Sequence, residues 1–271
     1  MSSVPNESDA AFDRGRAVRF ALVMAACIGG VAASAQSRSA DNPGVAAVLG
    51  TDRDFAALAQ ETNLRTAFGR YLASAAVLLR PLPEPAREWL ASHEVASGKY
   101  DWSPAGAIVS CDGSLAVTIG RWQYVPPHGS AVTTGEYLTA WRRNPEGDWQ
   151  VVLDEAVDLE PLEPIAQEIQ ARTTNTCRRR AASPKQLDAL ERRANAAIRI
   201  DGPAGTGNGV GRRAGTIAGE GQSDLALTYG AVAEPGGRAA TGTTRAVYVR
   251  IWQQARSDWV AVLEVVSPVA Q

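Results

Sequence analysis

Alternating apolar and polar residues mark three consecutive strands in the middle of the chain. The strands cover Ser114–Val125, Gly135–Arg143 and Trp149–Val157. Turn-forming residues separate them, Pro126–Pro127 after the first strand and Asn144–Gly147 after the second. Short connections of this kind join neighbouring antiparallel strands, so the pattern predicts a continuous antiparallel meander.

A helical spacing of apolar residues precedes the meander. Thr51–Glu61 carries apolar residues at i, i+3 and i+4, with Thr51 as the expected N-cap, and Leu64–Ala73 repeats the spacing. Three further elements follow, a strand Ala76–Leu79, a helix Glu84–Ser92 and a strand Tyr100–Ser110. Pro104 predicts that the last of these is an edge strand or contains a bulge. Helices grouped before an antiparallel sheet predict an α+β fold.

The strand pattern of the meander returns near the C-terminus. Leu115–Gly120 matches Leu225–Gly230, and Trp149–Asp154 matches Trp259–Glu264, both at an offset of 110 residues. A nearly constant offset over this length indicates a duplication. The second copy has fewer residues before its sheet. The missing part corresponds to the second helix, the short strand and the helix that carries Trp89.

These patterns divide the chain after its N-terminal segment into a spacer, a first domain, a linker and a degenerate second copy, over residues 36–50, 51–158, 159–182 and 183–271. The second copy opens with Ser183–Gln186, in which Pro occupies the first helical position inside a capping box. The glycine-rich stretch Gly202–Gly215 is interpreted as a mobile connector. A nucleotide-binding loop is rejected because no Gly-Lys-Ser/Thr follows. We expect the second copy to pack on the first as a scaffold.

The N-terminal segment has the pattern of a secretory signal peptide. A basic region precedes the apolar run Phe20–Val31, and Ala33–Ala35 resembles a cleavage site. The run is shorter than the roughly 20 apolar residues that span a bilayer. We therefore predict a cleaved signal over residues 1–35 and an exported, periplasmic or secreted protein. The alternatives are an uncleaved membrane anchor and lipidation at Cys27.

Composition narrows the classes of partner. The formal net charge is -2, so no bulk field attracts nucleic acid. A zinc site is not expected, because the chain has two histidines, His93 and His128, and no C-x-x-C pair. Loss of Cys27 with the signal would leave Cys111 and Cys177, which export allows to pair as a disulfide or to remain two thiols.

Several short motifs occur in an order that resembles a known superfamily. They are Asp52–Ala56, Phe68 and Tyr71, Ala76–Pro81, Arg87–Leu90, Tyr137–Arg143 and Trp149–Asp154. Together they resemble the nuclear transport factor 2-like superfamily and, within it, the SnoaL-like branch classed as domain of unknown function 4440. The resemblance implies a cone-shaped barrel, in which helices pack on a strongly bent antiparallel sheet and enclose a pocket. It also implies that some relatives use a pocket carboxylate on a carbon acid, and that the sheets of others pair face to face.

Aromatic and acidic residues are the candidates for lining such a pocket. Aromatic side chains dominate hydrophobic cores, and they also line pockets for apolar ligands. We predict a pocket lined by Phe68, Tyr71, Trp89, Trp102, Trp122, Tyr137, Trp141 and Glu155. The candidate catalytic carboxylates are Asp101, Asp154 and Glu155.

Strand alternation separates the last two of these acids. Trp149, Val151, Leu153 and Glu155 fall on one face of their strand, and Asp154 falls on the other. The first face is the more apolar, so Glu155 is predicted to point into the cone and Asp154 away from it. A bulge in this strand would reverse the two.

These features favour an exported, non-enzymatic binding or accessory protein. Its first domain would hold a small apolar or aromatic molecule without a cofactor, and it would contact a membrane only through a retained N-terminal segment. One alternative is a cofactor-independent isomerase, dehydratase or cyclase that uses a pocket carboxylate. The other is a structural module that forms a homodimer through its sheet face.

Overall fold

The computed structural model describes residues 19–21, 43–127, 131–158, 177, 181–194, 198–202, 205–219, 223–233, 244–255 and 258–269. The predicted cleavage site, Cys27 and His128 lie outside these residues. A short strand, β1 (Arg19–Ala21), comes first. Two units follow, and each is built on a sheet.

The first unit contains α1 (Pro43–Glu61), α2 (Leu64–Tyr71), β2 (Leu72–Leu79), β3 (Pro83–Pro85), α3 (Ala86–Ser92), β4 (Lys99–Val109), β5 (Leu115–Val125), β6 (Thr133–Arg143) and β7 (Trp149–Asp158). The second unit contains α4 (Pro184–Ala194), β8 (Ile198–Gly202), β9 (Gly205–Ala218), β10 (Leu225–Ala233), β11 (Thr244–Ala255) and β12 (Asp258–Pro268). This arrangement confirms the predicted α+β class, with helices packed on a strongly curved sheet.

Helix α1 is longer than the sequence pattern predicted. It begins at Pro43 and not at Thr51, so residues 43–50 of the expected spacer are helical. Val45 and Val48 are buried, which continues the apolar face of the helix towards its N-terminus. The Thr51 hydroxyl donates to the carbonyl of Ala47 (3.1 Å), one turn earlier, and does not cap the helix.

The first sheet has the strand order β3-β2-β7-β6-β5-β4. Strands β5, β6 and β7 pair antiparallel in sequence, which confirms the predicted meander. Strand β2 pairs parallel with β7 and extends the sheet beyond it. Strand β4 lies at the edge, and its register shifts between Pro104 and Gly106, as Pro104 had indicated.

The two faces of this sheet bury different partners. The helix-side face packs against α1, α2 and α3 through residues that include Ala116, Trp141 and Val151. The outer face packs against the second sheet. The residues that meet there include Leu115, Val117, Ile119 and Leu138 of the first unit with Leu225, Leu227, Val249 and Ile251 of the second. The second unit therefore packs on the first as expected, and it covers the sheet face through which a homodimer was expected to form.

The second unit repeats the first sheet. Its strand order is β1-β12-β11-β10-β9-β8, so β9 to β12 follow the order of β4 to β7. The register shifts between Ala140 and Trp141 in the first unit and between Ile251 and Trp252 in the second, at matched positions. Within the described part of 183–271, α4 is the one helix, and counterparts of α2 and α3 are absent as predicted.

The glycine-rich stretch forms strands, so its interpretation as a mobile connector is wrong. Strands β8 and β9 pair antiparallel, and β9 also pairs with β10. The ring of Tyr229 lies over Gly215, its cross-strand partner, where a Cβ would come within 2.2 Å of the phenol. The aromatic ring supplies the packing that the glycine lacks, which allows this sequence to remain in a sheet.

Strand β1 lies at the other edge of the second sheet, where Phe20 pairs antiparallel with Val265 of β12. It falls inside the segment predicted to be a signal peptide. Among the helices that the structure describes, none has both the length and the apolar character needed to span a membrane.

Candidate functional site

Asp52 lies in the interior of the first unit, on the face of α1 that packs on the sheet. Its side chain is 0% exposed. Trp102 Nε1 donates to Asp52 Oδ1 (2.9 Å), and the Tyr137 hydroxyl donates to Asp52 Oδ2 (2.9 Å). Helix α1 thus presents a carboxylate to two hydrogen-bond donors of the sheet, one on β4 and one on β6.

Burial changes the acid–base properties of Asp52 and Tyr137. Burial raises the pKa of Asp52 to about 6, against the weaker lowering effect of hydrogen bonds from Thr118, Trp102 and Tyr137. Burial, followed by the nearby Asp52 carboxylate, raises the pKa of Tyr137 far above its ordinary value. Tyr137 therefore remains a protonated donor, while Asp52 changes charge close to neutral pH.

A second carboxylate, Asp154, belongs to the same centre. The Thr139 hydroxyl donates to Asp154 Oδ1 (2.7 Å), and Arg80 Nη2 lies 2.5 Å from Asp154 Oδ2. The Asp154 charge also contributes to the raised pKa of both Asp52 and Tyr137. We call Asp52, Thr118, Tyr137, Thr139 and Asp154 the first centre.

The predicted orientation of Glu155 is wrong. Trp141 pairs with Val151, but the preceding residue, Ala140, pairs with Leu153. Strand β7 therefore contains a bulge between Val151 and Leu153. Val151 packs on the helix-side face and Leu153 on the outer face, and alternation is reversed from there on. Glu155 consequently points to the second unit, where the Ser267 hydroxyl donates to it, and Asp154 points inward.

Four of the predicted pocket residues meet around Phe55. The ring centroids of Phe68, Tyr71, Trp102 and Trp141 lie 5.1, 5.0, 4.8 and 6.0 Å from that of Phe55. We call these five residues the aromatic cluster. Phe55 follows Asp52 by one helical turn, so the cluster borders the first centre. Tyr137, also predicted for the pocket, is part of that centre.

The remaining predicted residues have other neighbours. Trp89 stacks on His93, with ring centroids 4.7 Å apart. Trp122 is buried, and its Nε1 donates to the carbonyl of Glu136 (3.1 Å). Asp101 accepts hydrogen bonds from Gln60 (2.6 Å) and Gln123 (3.3 Å) at the partly exposed end of β4.

The second unit contains a matched centre. The Tyr248 hydroxyl donates to Glu191 Oε2 of α4 (2.9 Å), as Tyr137 donates to Asp52. Trp252 Nε1 donates to the hydroxyl of Thr228 (2.8 Å), and in the first unit Trp141 Nε1 donates to Thr118, also at 2.8 Å. We call Glu191, Thr228, Tyr248, Arg250 and Glu264 the second centre.

Arg250 distinguishes the second centre from the first. Its Nη1 lies 2.9 Å from both carboxylate oxygens of Glu191, and its Nε donates to Glu264 (2.7 Å). The guanidinium also lies over the rings of Tyr248 and Trp252, at 5.2 and 5.6 Å from their centroids. Burial lowers the pKa of Arg250, but the two glutamates outweigh this effect and raise it.

Cys111 and Cys177 are joined by a disulfide, with their Cα atoms 5.4 Å apart. The backbone N–H of Cys111 donates to Asp224 Oδ1 of the second unit (2.7 Å). The bond therefore attaches the linker close to the boundary between the units. Among the residues that the structure describes, no cluster of three or more His, Cys, Asp and Glu side chains is placed to hold a metal ion.

Sequence reasoning missed Asp52 as a site residue. With Thr51 as the expected N-cap, Asp52 falls in the first turn of the helix, where the helix dipole favours acids. The signal that could have found it is its spacing. Val48, Asp52, Phe55 and Ala59 are all buried on one face of α1, so the sequence places a carboxylate within an apolar stripe.

Comparison with known proteins gives structural matches only, since no family model and no curated protein matches the chain. A conserved protein from Planctomyces limnophilus has 18% identity and a TM-score of 0.35, and the match covers 42% of this chain and 96% of that one. An NTF-2 like protein of unknown function from Shewanella oneidensis has 14% identity and a TM-score of 0.34, and the match covers 40% of this chain and 99% of that one. An NTF2-like superfamily protein from Salmonella enterica has 16% identity and a TM-score of 0.32, and the match covers 42% of this chain and 89% of that one. The last two carry the name of the superfamily that the sequence motifs resemble.

Proposed function

We propose that this chain is an exported, non-enzymatic binding or accessory protein whose first centre holds a small ligand. The observation that carries the proposal is the buried Asp52 carboxylate, whose hydrogen-bond partners in the described part of the chain are the neutral Trp102, Tyr137 and Thr118. Burying a charge without a cation costs several kcal/mol, and strongly perturbed carboxylates concentrate at functional sites. The adjacent aromatic cluster supplies an apolar wall for the rest of a ligand.

The contacts of Asp52 favour binding over catalysis. A carboxylate has about four acceptor positions. Donors from Trp102 and Tyr137, with the Thr118 hydroxyl nearby, leave room for a further donor, which a ligand can provide. A general base instead needs a lone pair aimed at a substrate proton and free of competing donors. Asp154 is equally engaged, by Thr139 and Arg80.

The test is a thermal-shift screen of small apolar and aromatic compounds, followed by calorimetric titration of any compound that stabilises the protein. We expect Asp52→Asn and Tyr137→Phe to weaken binding, because both remove polar groups of the first centre. Glu155→Gln is the matched control and should bind like the wild type, since Glu155 points to the second unit. A ligand that loses affinity in Glu155→Gln but keeps it in Asp52→Asn would contradict the proposal.

A second candidate function is acid–base catalysis by a cofactor-independent isomerase, dehydratase or cyclase. The supporting observation is that burial raises the pKa of Asp52 to about 6, beside the protonated Tyr137 hydroxyl. A base with such a pKa suits proton abstraction next to a carbonyl. Deuterium exchange from solvent into bound ketones, abolished by Asp52→Asn, would favour this function over simple binding.

We assign the second unit a scaffolding role. Its sheet covers the apolar outer face of the first sheet. In its own centre, the charges of Glu191 and Glu264 are compensated by Arg250. The face-to-face pairing that the sequence suggested between two copies of the chain is thus made within one chain, which supports a monomer. Light scattering of the purified protein measures the oligomeric state.

We also propose export with cleavage after Ala35. The disulfide between Cys111 and Cys177 supports an oxidising compartment, where such bonds persist. Mass spectrometry of the exported protein should find Gln36 at the N-terminus, and non-reducing peptide mapping should find the two cysteines linked. A mature chain that still carries β1, or two freely alkylated thiols, would contradict these expectations.

A further inference from the structure

The second centre shows which group this scaffold accommodates between two interior carboxylates. The guanidinium of Arg250 bridges Glu191 and Glu264 and lies over the rings of Tyr248 and Trp252. Its side chain is 2% exposed, so the cation is held inside the unit. Charge-assisted hydrogen bonds and the faces of aromatic rings together compensate for its lost hydration.

Strand register identifies the equivalent position in the first unit. Arg250 pairs with Glu264 across β11 and β12, and Thr139 pairs with Asp154 across β6 and β7. Both pairs lie directly beside the matched bulges. Thr139 therefore occupies the place of Arg250, and a short neutral hydroxyl stands where the second unit has a guanidinium.

The groups that surround Arg250 all have counterparts in the first unit. Asp52 and Asp154 correspond to Glu191 and Glu264, Tyr137 corresponds to Tyr248, and Trp141 corresponds to Trp252. The first unit adds the ring of Trp102, whose Nε1 binds Asp52. Two acids and several aromatic rings thus converge in the first centre, as they do around the guanidinium of the second.

Arg80 does not replace Arg250 in this arrangement. Arg80 approaches from the end of β2. Its Nη2 contacts Asp154 Oδ2, and its Nη1 donates to the carbonyl of Leu79. Arg250 reaches both acids of its centre, but among the described contacts Arg80 reaches one. Each centre therefore has two acids and one arginine, but in the first centre the hydrogen-bond partners of the Asp52 carboxylate in the described part of the chain are neutral.

We propose that the ligand of the first centre carries a cationic group, an amidinium, guanidinium or ammonium, which binds Asp52 in the position that Arg250 occupies in the second centre. This inference rests on the proposed binding function and narrows its ligand class. The cation would use the remaining acceptor position of Asp52, and an apolar body attached to it would contact the aromatic cluster. The second unit carries its own cation and takes no such ligand.

Matched probes that differ in charge test the proposal on the full chain. Benzamidine and benzamide have similar shapes, and only benzamidine is a cation at neutral pH. We expect benzamidine to bind more tightly by calorimetry, and Asp52→Asn to weaken it by about tenfold to a hundredfold, the loss typical of a hydrogen bond to a charged group. Glu155→Gln should leave its affinity unchanged.

Thr139→Arg gives an independent test, because it recreates the internal cation of the second centre. We expect this variant to lose benzamidine binding while it unfolds at the same temperature as the wild type or higher. Thr139→Val removes the hydroxyl without adding a charge, so any loss of benzamidine affinity in Thr139→Arg beyond the loss in Thr139→Val is the effect of the added cation. A Thr139→Arg protein that folds and still binds benzamidine with wild-type affinity would overturn the proposal.

The outcomes separate this inference from the proposed function. If benzamide or another neutral compound binds as tightly as benzamidine and loses affinity in Asp52→Asn, the first centre is a binding site but the cationic ligand class is wrong. If neither the two probes nor any compound of the screen binds in a manner that depends on Asp52, both the inference and the proposed function are wrong.

Discussion

In the second unit, Arg250 projects from the sheet and bridges both interior carboxylates, whereas in the first unit Arg80 comes from the end of β2 and reaches only Asp154. The surrounding framework is otherwise closely similar. The Trp141–Thr118 and Trp252–Thr228 hydrogen bonds have the same length of 2.8 Å. A tyrosine hydroxyl meets the helix carboxylate at 2.9 Å in both units.

The difference shows how one strand position changes the character of a buried polar centre. With arginine at position 250, the second centre is an internal ion-pair network that needs no outside partner. With threonine at position 139, the Asp52 carboxylate has neutral donors, and burial raises its pKa to about 6. The helices that accompany the two sheets also differ. The first unit has α2 and α3 in addition to α1, whereas the described part of the second unit has only α4.

Separating the units should have the largest effect. We expect residues 183–271 expressed alone to show no cooperative unfolding, because they lack counterparts of α2 and α3 and would expose the apolar face of their sheet. Residues 43–158 should fold but self-associate through the exposed outer face, which includes Leu115, Val117 and Ile119. Thermal unfolding and light scattering measure both. A sharp transition from the C-terminal fragment, or a monomeric first fragment, would contradict the expectation.

Removing the internal cation should be the most damaging single substitution. Arg250→Ala leaves Glu191 and Glu264 without their bridging charge, and breaking a buried pair in this way costs about 3–5 kcal/mol of unfolding free energy. Arg213→Ala is the control, because its pair with Asp188 is substantially exposed and contributes less than about 1 kcal/mol. Denaturant unfolding compares the two. Equal losses would show that the second centre is not the internally compensated network described above.

The pH dependence of stability should reveal the uncompensated carboxylate of the first centre. The folded pKa of Asp52, about 6, lies above its unfolded value of 3.8, so protonation favours the folded state. Its contribution is fully present below about pH 4 and is lost as the pH rises to about 6, which amounts to about 3 kcal/mol. The wild type should lose this stability relative to Asp52→Asn over that range.

The comparison is best made as the difference between the two proteins at each pH. Glu136, whose pKa burial raises to about 7, titrates in an overlapping range, and the subtraction removes its contribution. The groups that face Asp52 are Asp154, whose charge raises the pKa further, and the donors Trp102, Tyr137 and Thr118. A difference that does not change between pH 4 and 7 would contradict the raised pKa.

The smallest predicted effects concern the part that the units share. Thr118→Val and Thr228→Val each remove the acceptor of a buried tryptophan N–H, which should cost about 1–3 kcal/mol in either unit. Because the two hydrogen bonds match in length and burial, we expect the two losses to be similar. A much larger loss at one threonine, measured by denaturant unfolding, would show that the two frameworks are less alike than their geometry indicates.

Several errors of the sequence interpretation have one physical origin. Alternation along β7 predicted Glu155 inside, but the bulge beside Leu153 moves Asp154 to the interior. Bulges depend on how a strand meets its neighbour, which a single strand's pattern does not contain. The glycine-rich stretch was misinterpreted for a similar reason, since Gly215 is held in the sheet by Tyr229, a residue of the next strand.

The sequence alone predicted the α+β class, the meander, an edge or bulge at Pro104 and the repeated strand pattern, because hydrophobic periodicity and turn residues act locally. It also determined the capping box, in which the Ser183 N–H donates to Gln186 Oε1 (3.0 Å). Only the tertiary structure decided that α1 begins at Pro43, which carboxylate is interior, and that Asp52 and Tyr137 meet across 85 residues of chain. These features depend on contacts between elements, where burial and pairing override the preferences of each segment.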